Sequence, residues 1–331
     1  MSTFRLMRGE PLLDISSYAR RGPGRTDRLS PAQIEHIART VRRVPEVMIK
    51  VSGGGTSSGA VAAHFKYIDR RGELDIETDD GDRLYGKSVA MDLVQDWGLD
   101  AAAAETKSPY SGRPGQKPGK LVHNIILSMP AGTPPARLLA ASRAFAREQF
   151  AVKHRYAMVL HTDQEHPHVH LVVKALSNTG ERLNIRKATL REWRQEFARH
   201  LREQGIAANA TERAVRGASR TRKSDGIYRA LLRGESTHIR NRVEKVAMAL
   251  SKGQMRIEPG KAKLLETRTA VERGWRAVSE ILAGHGNKDL AAQVGRFAER
   301  LPLPKTENEQ LAVQLLDQAR LRRIGRGDAA R

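Results

Sequence analysis

The 331-residue sequence contains no cysteine. That excludes disulfide frameworks, thiolate zinc sites and cysteine nucleophiles, so any metal must be held by nitrogen and oxygen. Also missing are an apolar run long enough for a transmembrane helix and a signal-peptide pattern at the N-terminus. The chain is therefore expected to be soluble, cytoplasmic and not inserted in a membrane. Acidic residues are scarce, at 37 Asp and Glu against 58 Lys and Arg, a formal charge of +21. Such an excess repels itself inside a compact fold, and a polyanion that neutralises it is the economical explanation. Nucleic acid is the leading partner and an anionic membrane surface the rival. No internal repeat is present. Gly53-Gly54-Gly55-Thr56 lacks the spaced glycines and the Lys-Ser/Thr ending of a P-loop, and reads as a tight strand-to-helix turn.

What is present divides into three segments. Residues 1–43 mix arginine, glycine and proline before a short helical pattern around Ile34 and Ile37, and read as a basic N-terminal arm. Residues 44–225 alternate strand and helix patterns. Val47, Ile49 and Val51 have the period of a half-buried strand. Ala60, Val61, His64, Phe65 and Ile68 recur at helical spacing, and Gly72 is placed for a C-terminal cap. Asp80-Gly81 is a hairpin turn between two short strands. The stretch 105–120 reads as a mobile basic loop before a strand from Leu121 to Ser128. A helix then begins at Thr133 and Pro134, and Tyr156–His161 and Val169–Ala175 look like adjacent antiparallel strands. Thr189 and Glu192 offer a capping box for a helix bearing Trp193, Phe197 and Leu201. This pattern predicts an α+β fold, a central antiparallel sheet flanked by helices. Residues 226–331 are helical in pattern with breaks at Pro259-Gly260, Gly284–Asn287 and Pro302–Pro304, and end in an Arg-rich tail.

Four of the eleven histidines fall between positions 161 and 170. In a strand, side chains two apart share a face, so His168 and His170 point the same way while Val169 and Leu171 enter the opposite layer. If 155–161 pairs with 168–174, His161 arrives beside them and three imidazoles converge. Three protein ligands with an open position are a catalytic metal arrangement. Asp163 is near enough to accept the second ring proton of a ligating histidine. His166 shares the face of His168 if the strand starts that early, which would make it a proton acceptor or DNA contact. The competing reading is a set of surface histidines on a hairpin, or a non-catalytic metal site. Between residues 182 and 223 there are twelve Lys and Arg against four Glu, a balance of 12 − 4 = +8, and Arg186, Lys187, Arg191 and Arg194 are candidates for phosphate contacts.

His168-Val169-His170 resembles the motif of the HUH endonuclease superfamily, and the chain looks most like its single-tyrosine conjugative mobilisation relaxases. Ile49-Lys50-Val51, Gly53 to Thr56, Tyr67 and Arg70-Arg71-Gly72 resemble that family's first motif. His123 to Ser128 with Pro130-Ala131-Gly132-Thr133 is similar to its second. The resemblance covers about residues 46 to 220. It implies His161, His168 and His170 as metal ligands, Asp163 as supporting acid, Tyr67 as nucleophile and Ser128 near bound DNA. It further implies metal-dependent, strand-specific nicking of single-stranded DNA at an origin of transfer, with manganese or magnesium as the metal. The product would be a 5′-phosphotyrosine link and a free 3′-hydroxyl, in a bacterial cytoplasm. Partners would be relaxosome accessory proteins and type IV coupling and secretion machinery.

Six tyrosines compete for the nucleophilic role. Tyr67 lies off the apolar line of its helix, so its ring can face a cleft. Tyr156 reads as strand packing and Tyr110, on the basic loop, is the reserve candidate. A phenol ordinarily ionises near pH 10, so attack on phosphate needs a base or nearby positive charge. Two other readings stay open: a rolling-circle replication initiator or transposase with the same chemistry, and a catalytically inactive DNA-binding accessory protein.

Overall fold

A computed structural model of the chain describes residues 28–102, 119–218, 237–254 and 257–328. Tyr18, Tyr110 and Tyr228, and most of the 1–43 and 105–120 segments, lie outside the described residues. Contacts divide the chain into a unit containing Arg42–Ala210 and a second containing helix α1 (Pro31–Val41) with Thr211 onward.

In the first unit the strands are β1 (Met48–Gly53), β2 (Ile76–Thr78), β3 (Arg83–Leu84), β4 (Val122–Ser128), β5 (Tyr156–His161) and β6 (His168–Lys174). They form one antiparallel sheet in the order β1-β4-β6-β5-β2-β3. The α+β expectation holds. Alternation along the strands sends side chains to two separate cores. Ile125, Leu127, Met158, Val169, Leu171 and Val173 pack under helices α4 (Pro135–Phe150) and α5 (Lys187–Glu203), where Phe145, Trp193 and Phe197 are buried. Val122, Ala157, Val159 and Val172 face the other way, beneath α2 (Ser58–Ile68) and α3 (Val89–Asp96), against Val61, Phe65, Ile68 and Trp97. Burying a ring such as Phe145 completely is worth about 1.5–3 kcal/mol relative to leaving it in water.

Two helix ends differ from the sequence reading. Helix α5 begins two residues before Thr189, and the Thr189 hydroxyl accepts the Arg186 N–H at 3.3 Å. Thr189 thus occupies the third helical position, so the hydroxyl plays the part expected of Glu192. Helix α2 stops at Ile68 with Asp69 as its cap, three residues before Gly72. Gly72 is nevertheless required. It has φ +89°, and a Cβ there would lie 2.6 Å from the Gly86 carbonyl carbon.

The second unit is helical: α1, α6 (Thr237–Ser251), α7 (Gly260–Gly284), α8 (Lys288–Glu299) and α9 (Glu307–Asp328). The breaks fall at the predicted glycines and prolines. Trp275 and Val278 of α7 and Val294 and Phe297 of α8 enclose Ile37 of α1. The capping box at the start of α9 forms as read, with Thr306 N–H on Glu309 Oε2 at 2.8 Å and Glu309 N–H on Thr306 Oγ1 at 3.2 Å.

Candidate metal and nucleophile site

The register of β4, β5 and β6 builds the site. His161 pairs with His168, which pairs with Ser128, which pairs with Met48, so these four residues form one row across four strands. The next row runs Val159, His170, Ile126, Lys50. All three imidazoles therefore project from the same sheet face, the one that α2 covers. Their ring centroids lie 4.5–5.1 Å apart, and one nitrogen from each lies within 4.8 Å of the others.

His161 is 1% exposed and His168 and His170 are each 7% exposed. Burying basic rings against one another disfavours their protonated forms. Burial lowers His161, and the Arg70 and His168 charges lower it further, against an opposing hydrogen bond to Ile68. Burial, with His161, His168, His64 and Arg70 adding repulsion, pushes His170 down to about 3. The cluster is rich in ring nitrogens and free of carboxylates, a donor set that suits a divalent first-row metal. His168 donates Nδ1–H to the His166 carbonyl at 3.0 Å, which leaves Nε2 as the nitrogen it could offer to a metal. His161 donates Nε2–H to the Ile68 carbonyl at 2.6 Å, and its Nδ1 accepts from Arg70 at 3.2 Å. Whichever nitrogen His161 gives to a metal, one of those contacts is released.

The end of α2 supplies the rest. The last four carbonyls of a helix have no partner within it. Here Phe65 and Lys66 accept backbone N–H groups from Asp69 and Arg71, Tyr67 accepts the Arg70 guanidinium at 3.3 Å, and Ile68 accepts His161. The side chains of Arg70 and His161 thus complete the helix end. The chain then runs through two non-glycine residues in the left-handed region, Arg70 at φ +53° and Arg71 at +63°, conformations that cost about 1 kcal/mol or more each.

Tyr67 is 56% exposed. Its ring stands edge-on to His170 at 6.1 Å and stacks on His64 at 6.1 Å, with the Arg70 guanidinium 5.4 Å from its centroid. Tyr156, in contrast, is buried in the sheet core, the packing role read from its strand.

The structure places the other candidates less uniformly. Asp163 does not accept a histidine proton. Its Oδ2 is 2.5 Å from Arg70 Nη2, so it reaches His161 through the guanidinium, and this hydrogen bond holds the Asp163 carboxyl below its usual range. β6 starts at His168, so His166 is exposed in the connection and engages through its backbone carbonyl. Ser128 is buried beside His168, with Oγ 3.5 Å from the Pro167 carbonyl. Arg186, Lys187, Arg191 and Arg194 belong to α5 and its cap, which pack on the sheet face opposite the imidazoles. They do not join the cluster.

Two residues at the site escaped the sequence reading. His64 counted as one of the apolar helical positions, yet it contacts both Tyr67 and His170, at 6.2 Å from the latter, and its buried Nε2 has no hydrogen-bond partner among the described residues. Its signal was the i, i+3 spacing to Tyr67. Arg70 was quoted within a motif but given no role. No local pattern announces that its guanidinium joins Tyr67, Asp163 and His161.

With this geometry in place, comparison with known proteins is specific. Residues 84–206 match the family model of the MobA/VirD2-like relaxase nuclease domain, a span that holds the three histidines and Ser128 but begins after Tyr67. The T-DNA border endonuclease VirD2 of Agrobacterium fabrum is 28% identical over 209 residues, 59% of this chain and 46% of that protein. Its counterpart from Rhizobium radiobacter is 27% identical over 208 residues, 59% of this chain and 48% of that protein. The chain spans about half the length of the curated relatives it matches. The solved MobM relaxase domain bound to plasmid pMV158 oriT DNA aligns with 56% of this chain and 98% of its own, at 14% identity and a TM-score of 0.38. By its family model and its curated relatives, the chain is similar to the relaxases, and residues 84–206 resemble the MobA/VirD2-like nuclease domain.

Proposed function

We propose that this chain is a conjugative DNA relaxase that nicks one strand at an origin of transfer by tyrosine transesterification. The observation that carries this reading is a half-exposed tyrosine ring 6.1 Å from the buried imidazole His170, with an arginine on its other contact. His161, His168 and His170 would hold a divalent ion, manganese or magnesium, which when bound draws electron density from the scissile phosphate. The Tyr67 phenol gives its proton to solvent as Oη attacks phosphorus, the P–O3′ bond breaks, and the electron pair leaves with the 3′ oxygen, which takes a proton from solvent to become a hydroxyl. The downstream fragment stays on Tyr67 through its 5′ phosphate. Because the phosphotyrosine ester retains the energy of the phosphodiester, the 3′-hydroxyl can reverse the reaction. Arg70 is a positioning residue: its guanidinium lies against the attacking ring while Asp163 holds it in place.

In this reading residues 44–225 perform the nicking. Met48 and Lys50, exposed on the edge strand in the two rows of the histidines, mark where the strand enters. The helices beyond, and partners such as accessory proteins and a type IV secretion system, serve delivery of the nicked strand. Among the described residues no helix is long and apolar enough to cross a membrane.

The test is covalent capture on a labelled single-stranded origin-region oligonucleotide with added manganese. The fragment 3′ of the nick should migrate with protein in a denaturing gel, the other should leave with a 3′-hydroxyl, and Tyr67→Phe should abolish the adduct. Two free fragments in the wild type would make water the nucleophile and end the relaxase reading. An adduct that survives Tyr67→Phe would move the role to another tyrosine, Tyr110 first.

A further inference from the structure

The second unit contains a cavity of about 340 Å³ that the nicking chemistry does not use. Three cations line it, Arg213, Arg268 and Lys305, and Leu264, Pro302 and Pro304 form apolar walls. No carboxylate is among the described residues that line it. Arg213 and Lys305 are exposed at the rim, whereas Arg268 is only 8% exposed. The Arg268 fork is partly committed: Nη2 donates to the Leu301 carbonyl at 2.6 Å, and Nε faces Glu272 at 2.8 Å. Its Nη1 is buried and has no hydrogen-bond partner among the described residues.

An unsatisfied buried donor costs about 1–3 kcal/mol, and more when it carries charge. Such a group persists where a ligand completes it. One fixed donor deep in the cavity and two flexible cations at its mouth form a receptor for an anion with several acceptor oxygens, and the planar guanidinium suits phosphate. The apolar walls could not satisfy an anion and would leave a bare phosphate unmatched on one side. They accommodate a flat, weakly hydrated ring, and the volume is within the range of small-molecule sites.

We propose that this cavity is a nucleotide-binding site, which takes one phosphorylated nucleoside with its phosphate on Arg268, Arg213 and Lys305 and its base against Leu264, Pro302 and Pro304. The nucleotide can come from free solution or from the end of a DNA strand, since both present the same phosphate and ring. The site lies wholly in the second unit and stands whether or not Tyr67 is the nucleophile.

The experiment uses the full chain. Thymidine 5′-monophosphate, thymidine, inorganic phosphate and a 5′-phosphorylated oligothymidine are titrated by calorimetry, and hydrogen exchange is followed at residues 213–218, 264–268 and 301–310. Thymidine monophosphate is expected to protect these segments and to bind more tightly than phosphate or thymidine alone. Arg213→Ala and Lys305→Ala, both at exposed positions, should each weaken it about tenfold or more, the scale of one lost charge-assisted hydrogen bond. Arg268→Gln should abolish binding, and if it does not fold, the two rim variants decide. Protection by the oligonucleotide but not by the mononucleotide identifies the strand as the source and still supports the site. Four results overturn the proposal: no protection by either nucleotide, affinity unchanged in both rim variants, phosphate binding as tightly as the nucleotide, or protection only by an acidic peptide such as oligoglutamate.

Discussion

Replacing Arg70 by glycine separates the strain at the site from its chemistry. The side chain makes an ion pair with a half-exposed Asp163, a 3.3 Å hydrogen bond to the Tyr67 carbonyl and a cation–π contact at 5.4 Å. Exposed ion pairs and cation–π contacts are each worth about 0.5–1 kcal/mol, so their loss costs about 2 kcal/mol in all. Glycine at φ +53° removes about 1 kcal/mol of strain and offsets half of that loss. Arg70→Gly should therefore be destabilised by only about 1 kcal/mol, and Arg70→Ala, which keeps the strain, by about 1 kcal/mol more. Metal affinity should hold or tighten, because the variant removes a cation 3.2 Å from His161 Nδ1. Nicking should fall about a hundredfold, the scale for losing one preorganised electrostatic group. Urea unfolding, manganese titration and the single-turnover rate of adduct formation at saturating DNA measure the three effects. Arg70→Lys should recover part of the rate, since it restores the charge but not the fork. A nicking rate within twofold of wild type would refute the role of Arg70, and destabilisation above about 3 kcal/mol would make that role structural.

Other outcomes follow from the same geometry. His168→Ala should remove metal-dependent adduct formation while leaving most DNA affinity, because phosphate contacts elsewhere carry binding; full activity in excess chelator would remove the metal assignment. Arg186→Glu with Lys187→Glu should lower affinity and reduce the salt slope by about one for each lost phosphate contact, yet spare the nicking rate at saturating DNA; a salt slope unchanged from wild type would exclude these residues. Gly72→Ala should cost about 2 kcal/mol or more from its positive φ and the approach to Gly86, measured by denaturant unfolding; a neutral result would mean that the loop shifts freely. Burial lowers both His123 and His154, so the unfolded state binds more protons just below its own histidine pKa of about 6.5. Their contribution to stability is present above that pH and is lost as pH falls. His154→Gln should flatten the decline between pH 7.5 and 5.5 in unfolding titrations, and an unaltered slope would remove His154 from the account.

Much of the site was legible in the sequence because strand chemistry has a period of two. His168-Val169-His170 beside an apolar run required two imidazoles on one face, and pairing across a short polar link brought His161 to them. The register of β5 with β6 meets that requirement. Tyr67 was legible as a residue off the apolar line of its helix, and the absence of cysteine had already limited any metal to nitrogen and oxygen ligands. Sequence could not decide where the end of α2 lies against the sheet. That packing turns His161 and Arg70 into partners of the helix's last carbonyls, draws Asp163 to Arg70 instead of to a histidine, and places His64 under Tyr67. Nor could charge density show which sheet face α5 covers, and only the fold puts Arg186, Lys187, Arg191 and Arg194, candidates for phosphate contacts, on the helix that packs opposite the imidazoles. Periodicity is local and survives in the linear sequence, whereas long side chains choose partners among residues that only the tertiary fold brings within reach.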